Sequence, residues 1–195
     1  RLRRGHEPLE PRSDLGHAAN FLYMLSGEVP DRERVRGLET YLNTVVDHGL
    51  NASTFTARVI TSTGSDLVSA VVGAIGALKG PLHGGAPGPA LDMVFEIGDA
   101  SRAENVLRRK IEAGEKLMGF GHRVYKVRDP RADVLKAVVE TLPVDQGRLA
   151  FAGDVAAGAV ETLARSKPGR RLDMNVEFYT ALLLEALGIP RSVFT

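Results

Sequence analysis

Met118-Gly-Phe-Gly-His-Arg-Val-Tyr-Lys-Val-Arg-Asp-Pro-Arg131 carries neither the 3.6-residue period of a helix nor the two-residue alternation of a strand. Gly119 and Gly121 bracket Phe120 and lead into His122. Asp129-Pro130 closes the irregular stretch with a helix start. Arg123, Lys126, Arg128 and Arg131 crowd around His122. Glycines let a backbone approach a ligand closely. Cations beside a histidine suit an anion that needs a hydrogen bond or a proton. Taken alone, such a stretch is also what a solvated basic loop looks like.

On either side of it the pattern is helical. Leu15, Ala18, Ala19, Leu22 and Leu25 share one face of a helix that Ser13-Asp14 can cap and that runs to about Ser26, with Gly27 as its end. Pro30-Asp31 opens a second helix with Val35, Leu38, Leu42, Val45 and Val46 on its apolar side. Asn51 can cap a third, to about Ser62. Residues 67 to 79 are nearly all small or apolar, which predicts a helix buried on every side, and Gly73 and Gly76 permit close packing. Further helices are expected over Leu91–Ile97, Ala100–Ala113, Pro130–Leu142, Gln146–Ser166 and Asn175–Leu187. A short hairpin near residues 122 to 128 is the one departure from helix. The fold class is all-α.

Composition narrows the function. Of 195 residues, 25 are basic and 24 acidic, for a net charge of +1. That excludes a general nucleic-acid surface and makes the local cluster around His122 stand out. The absence of cysteine removes disulfides and thiol nucleophiles. No apolar run approaches the roughly 20 residues of a membrane span, and a cytoplasmic location fits. The chain starts at Arg1 without methionine and stops at Thr195 just after a helix end, as a piece of a longer polypeptide would.

Three of the five histidines (His48, His83 and His122) stand beside glycine at helix breaks. No two histidines share a short ligand spacing, so no metal site is expected. His83, ahead of Gly84-Gly85-Ala86, can open a helix and feel the positive end of its dipole. That favours a neutral imidazole able to donate to an oxygen gaining negative charge. His122 should resist protonation among four cations. Arg131 can grip a carboxylate with two parallel hydrogen bonds. Glu177, in Asn175-Val-Glu-Phe-Tyr179, is a candidate carboxylate base, although its position alone reads as an ordinary helix surface.

Four stretches together resemble the successive signatures of citrate synthase. They are Asp47-His48-Gly-Leu-Asn51-Ala-Ser-Thr54, Gly80-Pro-Leu-His83-Gly-Gly85, Gly119-Phe-Gly-His122-Arg-Val-Tyr-Lys126 with Asp129-Pro-Arg131, and Asn175-Val-Glu-Phe-Tyr179. They stand in the family's order over roughly residues 14 to 195, and are most similar to the short bacterial and archaeal type. The resemblance implies a helical two-domain enzyme truncated at both ends. Residues 1–83 would belong to the large domain, 84–180 to the small domain, and 181–195 would return to the large one. It implies a homodimer, no tightly bound cofactor, and condensation of acetyl-CoA with oxaloacetate followed by thioester hydrolysis to citrate and CoA. That is an acyltransfer in which the acyl group becomes an alkyl group.

Carried onto this sequence, the resemblance gives His83 the thioester oxygen, His122 the ketone of oxaloacetate, and Glu177 the part of the base. His48, Asn51 and Arg131 would bind oxaloacetate. Leu117, Met118, Gly119, Phe120 and Gly121 would meet the adenine of CoA and Lys126 a phosphate. Two departures matter. The family's base is usually aspartate, and the extra methylene of Glu177 displaces the carboxylate by about a bond length, enough to cost on the order of 10²-fold in rate if uncorrected. A further arginine expected beyond residue 195, and one expected from a partner subunit, are absent from this chain. The alternatives are 2-methylcitrate synthase using propionyl-CoA, the citrate synthase-like module of a citrate-cleaving lyase, and a non-catalytic acyl-CoA-binding relative.

Overall fold

The structure is a computed structural model of the chain, and it describes residues 1–2, 5–47, 49–80, 83, 87–115, 117–120, 129–143, 146–166 and 173–194. Among the described residues there are nine α-helices and no strand. They are α1 (His17–Ser26), α2 (Arg32–Val45), α3 (Ala52–Ser62), α4 (Leu67–Leu78), α5 (Pro87–Ile97), α6 (Ala103–Glu112), α7 (Pro130–Val139), α8 (Gln146–Ser166) and α9 (Val176–Ala186). The all-α expectation holds. The expected hairpin near 122–128 lies outside the described residues.

Helix starts follow capping chemistry. The side chains of Asp31, Asn51, Asp66, Asp129 and Asn175 each accept a backbone N–H from the first turn they precede. The expected Ser13-Asp14 cap of α1 is not formed. Asp14 instead forks onto Arg12, at 3.0 and 2.6 Å, and Gly16 stands at the N-cap without a side-chain bond. A nearby cation outcompetes the helix start for that carboxylate. Gly27 closes α1 in the left-handed conformation, φ +93°, as glycine permits. The helix expected from Ala100 begins as one 3-10 turn, with α6 proper starting at Ala103. The helix expected from Leu91 starts earlier, at Pro87.

α9 is the axis of the packing. Seven of its eleven residues are buried: Val176, Phe178, Tyr179, Thr180, Ala181, Leu183 and Leu184. α7 and α5 pack directly against it, α2 packs on α7, and α6 pairs with α8. Gly37 marks the point where α2 comes closest. A Cβ there would stand 3.4 Å from Leu142, Leu183 and Leu187.

α4 corrects a sequence expectation. Its composition predicts burial on every side, yet only Ala70 is buried. Leu67, Val68, Val71, Val72 and Ile75 are exposed, Leu67 by 78% and Val68 by 70%. α4 packs against α3, which has no fully buried residue of its own. An apolar helix with one neighbour leaves its other faces to water, and a contiguous apolar face of this kind marks an interaction surface. The expected burial of α4 is therefore not found: among the described residues its apolar side chains are mostly exposed.

Candidate active site

Two groups of the expected site residues are described, and each is fixed by a helix start. The first is at α3. Asn51 caps that helix, its Oδ1 accepting from Thr54 N at 2.9 Å and from Ser53 Oγ at 2.8 Å. This occupies the carbonyl end of the side chain and leaves the amide N–H₂ as what Asn51 can offer. Ser53 N then donates to His83 Nε2 at 3.3 Å, and Ser53 Oγ lies 3.0 Å from the same nitrogen. Among the described residues, the helix start that His83 contacts is that of α3, thirty residues earlier in the chain; the expected start at Gly84-Gly85-Ala86 lies outside the described residues. The two contacts anchor Nε2 at the start of α3, and its role as donor or acceptor there follows the tautomer of the ring.

The second group gathers at the starts of α7 and α9. Asp129 is 2% exposed and caps α7, with Pro130 at the first helical position. Its carboxylate accepts Arg131 N at 3.1 Å, Arg131 Nε at 3.1 Å and Arg131 Nη2 at 2.8 Å. One buried carboxylate thus caps the helix and aims a guanidinium. Glu177 lies in the first turn of α9, its backbone N–H donating to Asn175 Oδ1 at 2.9 Å. It is half-buried, not the ordinary surface residue its position alone suggested. Removal from water pushes the Glu177 carboxyl above the usual range; the Arg131 cation pulls it back down and the Asp129 charge adds to the rise. Tyr41, on α2, feels the same pocket. Burial raises its phenol, and the Glu177 charge raises it further.

The loop of Leu117, Met118, Gly119 and Phe120 is laced to this group. Asn175 N donates to Gly119 O at 3.0 Å, and Phe120 pairs with Met174 in an isolated antiparallel bridge. The Phe120 and Phe178 rings lie 5.8 Å apart, tilted at 51°, and Tyr179 meets Phe178 edge-on at 5.6 Å. Gly119 has φ +89°, and a Cβ there would meet Phe178 Cβ at 3.2 Å and Ala90 Cβ at 3.3 Å. Both the left-handed backbone and the space require glycine. The loop's approach to the start of α9 depends on that missing side chain.

His48, Gly121, His122 and Lys126 lie outside the described residues. Among the described residues, no hydrogen bond joins the His83–Ser53 pair to the Glu177 group, and no cluster of three potential metal ligands occurs. Sequence reasoning missed three members. Ser53 touches His83 Nε2, Asp129 holds Arg131, and Tyr41 carries a phenol that burial and the Glu177 charge raise. Asp129 had a visible signal in Asp-Pro-Arg, where a cap two residues before an arginine can also pair with it. Tyr41 had none, because Glu177 is 136 positions away.

The comparisons agree with this geometry. The family profile described as citrate synthase, C-terminal domain, matches residues 1–195. Citrate synthase 2 of Bacillus subtilis is 47% identical over 195 residues, covering 100% of this chain and 51% of the relative. The crystal structure of citrate synthase from Thermotoga maritima superposes with a TM-score of 0.83 at 43% identity, covering 98% of this chain and 51% of that one. The ternary complex of carboxymethyl coenzyme A and oxaloacetate with citrate synthase from Thermoplasma acidophilum superposes with a TM-score of 0.83 at 32% identity, over 93% of this chain and 48% of that one. Similarity extends to 2-methylcitrate synthase of Mycobacterium tuberculosis, 52% identical over 140 residues, 72% of this chain and 36% of the relative. It extends also to citryl-CoA lyase from Hydrogenobacter thermophilus, with a TM-score of 0.76 at 30% identity, 93% of this chain and 70% of that one. The chain spans about half the length of the citrate synthases it matches. An all-helical fold matched along its whole length by one family's profile, with relatives above 40% identity, leads to one conclusion: this chain belongs to the citrate synthase family.

Proposed function

We propose that the protein carrying this chain condenses an acyl-CoA with oxaloacetate and hydrolyses the resulting thioester, with acetyl-CoA as the acyl donor and citrate and CoA as products. The observation that carries the reading is the placement of Glu177: half-buried, beside Arg131, and one backbone bond from the 117–120 loop. A carboxyl displaced upward ionises nearer the working pH and is a stronger base, which suits abstraction of a weakly acidic proton.

In this reading Glu177 removes a proton from the methyl group of the acetyl thioester. The electron pair moves onto the thioester oxygen, to which the His83 ring donates a hydrogen bond. The new carbon nucleophile attacks the ketone carbon of oxaloacetate, whose oxygen takes a proton from His122. Water then cleaves the thioester, releasing CoA and leaving the carboxylate of citrate. Arg131, aimed by Asp129, holds an oxaloacetate carboxylate with His48 and Asn51. The loop from Leu117 to Gly121 receives the adenine and Lys126 a phosphate. Acetyl-CoA and oxaloacetate are substrates, and no tightly bound cofactor or metal enters the scheme.

Residues 84–180 form the smaller domain and 1–83 with 181–195 belong to the larger, with the substrates between them. The exposed apolar face of α4 meets a second copy of the protein, giving a homodimer. A cytoplasmic location accords with this chemistry, and no described helix is long and apolar enough to cross a membrane.

The decisive test is thiol release by the full-length protein supplied with acetyl-CoA and oxaloacetate. Glu177→Gln should abolish it, and retention of full activity would remove Glu177 from the scheme. The similarity to 2-methylcitrate synthase favours a second acyl donor. One methylene changes discrimination by about 1–3 kcal/mol, so parallel rates with propionyl-CoA decide between the two. Binding of oxaloacetate without thiol release would instead support a non-catalytic relative.

A further inference from the structure

The loop of residues 117–120 and the start of α9 are joined through one residue. Asn175 N donates to Gly119 O at 3.0 Å. The side chain of the same residue caps α9, its Oδ1 accepting Glu177 N at 2.9 Å. Asn175 therefore holds the loop with its backbone and the amide of Glu177 with its side chain. The flanking residues stiffen this joint. Met174, just before it, pairs with Phe120 in an antiparallel bridge. The ring of Phe178, just after Glu177, lies 5.8 Å from that of Phe120. Gly119 leaves no slack, since even a Cβ there would come within 3.2 Å of Phe178 Cβ. Val176, Phe178 and Tyr179 are buried, and close-packed side chains pass a displacement on rather than absorb it.

The same bonds leave the Glu177 carboxylate for other work. A helix start has N–H groups without partners, and a first-turn glutamate can turn back on the N–H of the cap residue. Here that N–H goes to Gly119, and the N–H of Glu177 itself goes to Asn175. Neither bond draws on the carboxylate. We propose that Asn175 is a positioning residue through which the acyl donor's nucleotide part, seated on the 117–120 loop, sets the aim of Glu177. This rests on the reading of Glu177 as the base and of the loop as the nucleotide's seat. Binding energy from a part of the donor that does not react is thereby used at the reacting carbon. A shift of the carboxylate by about 1 Å costs on the order of 10²-fold in rate, and the joint opposes such a shift once the loop is occupied.

The test uses the full-length protein with saturating oxaloacetate and either of two saturating donors. One is acetyl-CoA; the other is acetyl-pantetheine, the same thioester without the nucleotide. In the parent, kcat for thiol release should be at least about tenfold lower with the short donor. Asn175→Gly removes the side-chain acceptor and keeps the backbone N–H, and glycine is a tolerated N-cap, so the helix start survives. In that variant the two kcat values should converge to within about threefold, through loss with acetyl-CoA. Asn175→Ser, which restores an acceptor at the cap, should restore most of the gap. A residue that only capped the helix would lower kcat with both donors by one factor. No kcat gap in the parent, or an unchanged donor ratio in Asn175→Gly, overturns the joint. Failure of the base reading shows separately, as full activity in Glu177→Gln; an inactive Glu177→Gln with an unchanged donor ratio in Asn175→Gly overturns the joint alone.

Discussion

Replacing Asp129 tests the start of α7 as a single device. Its carboxylate is 1% exposed at the side chain and accepts one backbone and two guanidinium bonds. Asp129→Ala removes a cap worth about 1 kcal/mol. It also leaves Arg131 without its fork, and breaking a buried pair costs about 3–5 kcal/mol. Arg131 keeps 16% of its side chain in water, which places the second figure at the low end. The expected total is about 4 kcal/mol, a large share of the 5–15 kcal/mol that holds a domain folded. Asp129→Asn retains an acceptor for the backbone N–H and should cost about 1 kcal/mol less. Urea unfolding followed by circular dichroism measures both. The same change removes the negative charge that raises Glu177 and frees the cation that lowers it, so the acid limb of activity should shift to lower pH. Destabilisation of less than about 1.5 kcal/mol, or equal effects from alanine and asparagine, would refute the account of one carboxylate serving cap and fork.

Stability should carry a second pH signature. Glu177 is raised in the folded state from its ordinary 4.5, so the native chain holds that proton more tightly than the unfolded one. Its contribution is therefore present at low pH and lost as pH climbs from about 4.5 through the folded value; Glu177→Gln should flatten that decline in unfolding midpoints measured across pH. Gly119→Ala meets both a left-handed backbone and two Cβ atoms within 3.3 Å, and should destabilise by about 2–4 kcal/mol. Gly98→Ala has φ +67° but no neighbour nearer than 3.7 Å, and should cost about 1–2 kcal/mol; a reversed order in thermal melts would contradict the packing argument. Val68→Asp with Val72→Asp alters side chains that are 70% and 62% exposed. It should leave helix content unchanged while sedimentation velocity shows loss of the dimer.

The helices were legible because their starts are written locally. Asp31, Asn51 and Asp129 cap the helices whose starts were expected there, and Asp66 and Asn175 cap theirs without having been read as caps. Where a second local bond competed, reading failed: Asp14 went to Arg12. α4 shows the limit of composition. Its apolar surface identifies a helix that must be covered, and says nothing about whether this chain does the covering. In the candidate site, motif reading named Glu177 and Arg131, and in the fold the Arg131 charge acts on the Glu177 carboxyl. It did not name Ser53, whose part arises from a contact between α3 and residue 83. Such pairings are set by tertiary packing and leave no periodic trace in the sequence. The helix start that touches His83 is near in space and distant in the chain.

Placing Glu177 on α9 ties chemistry to architecture. The helix that bears the carboxylate also supplies Phe178, Leu183 and five other buried side chains. With Glu177 read as the base, the demands of a well-filled interior and of a well-aimed proton acceptor fall on the same eleven positions. Laboratory diversification directed at the helix should yield mostly insoluble protein, and diversification of the loops the larger share of altered catalysts.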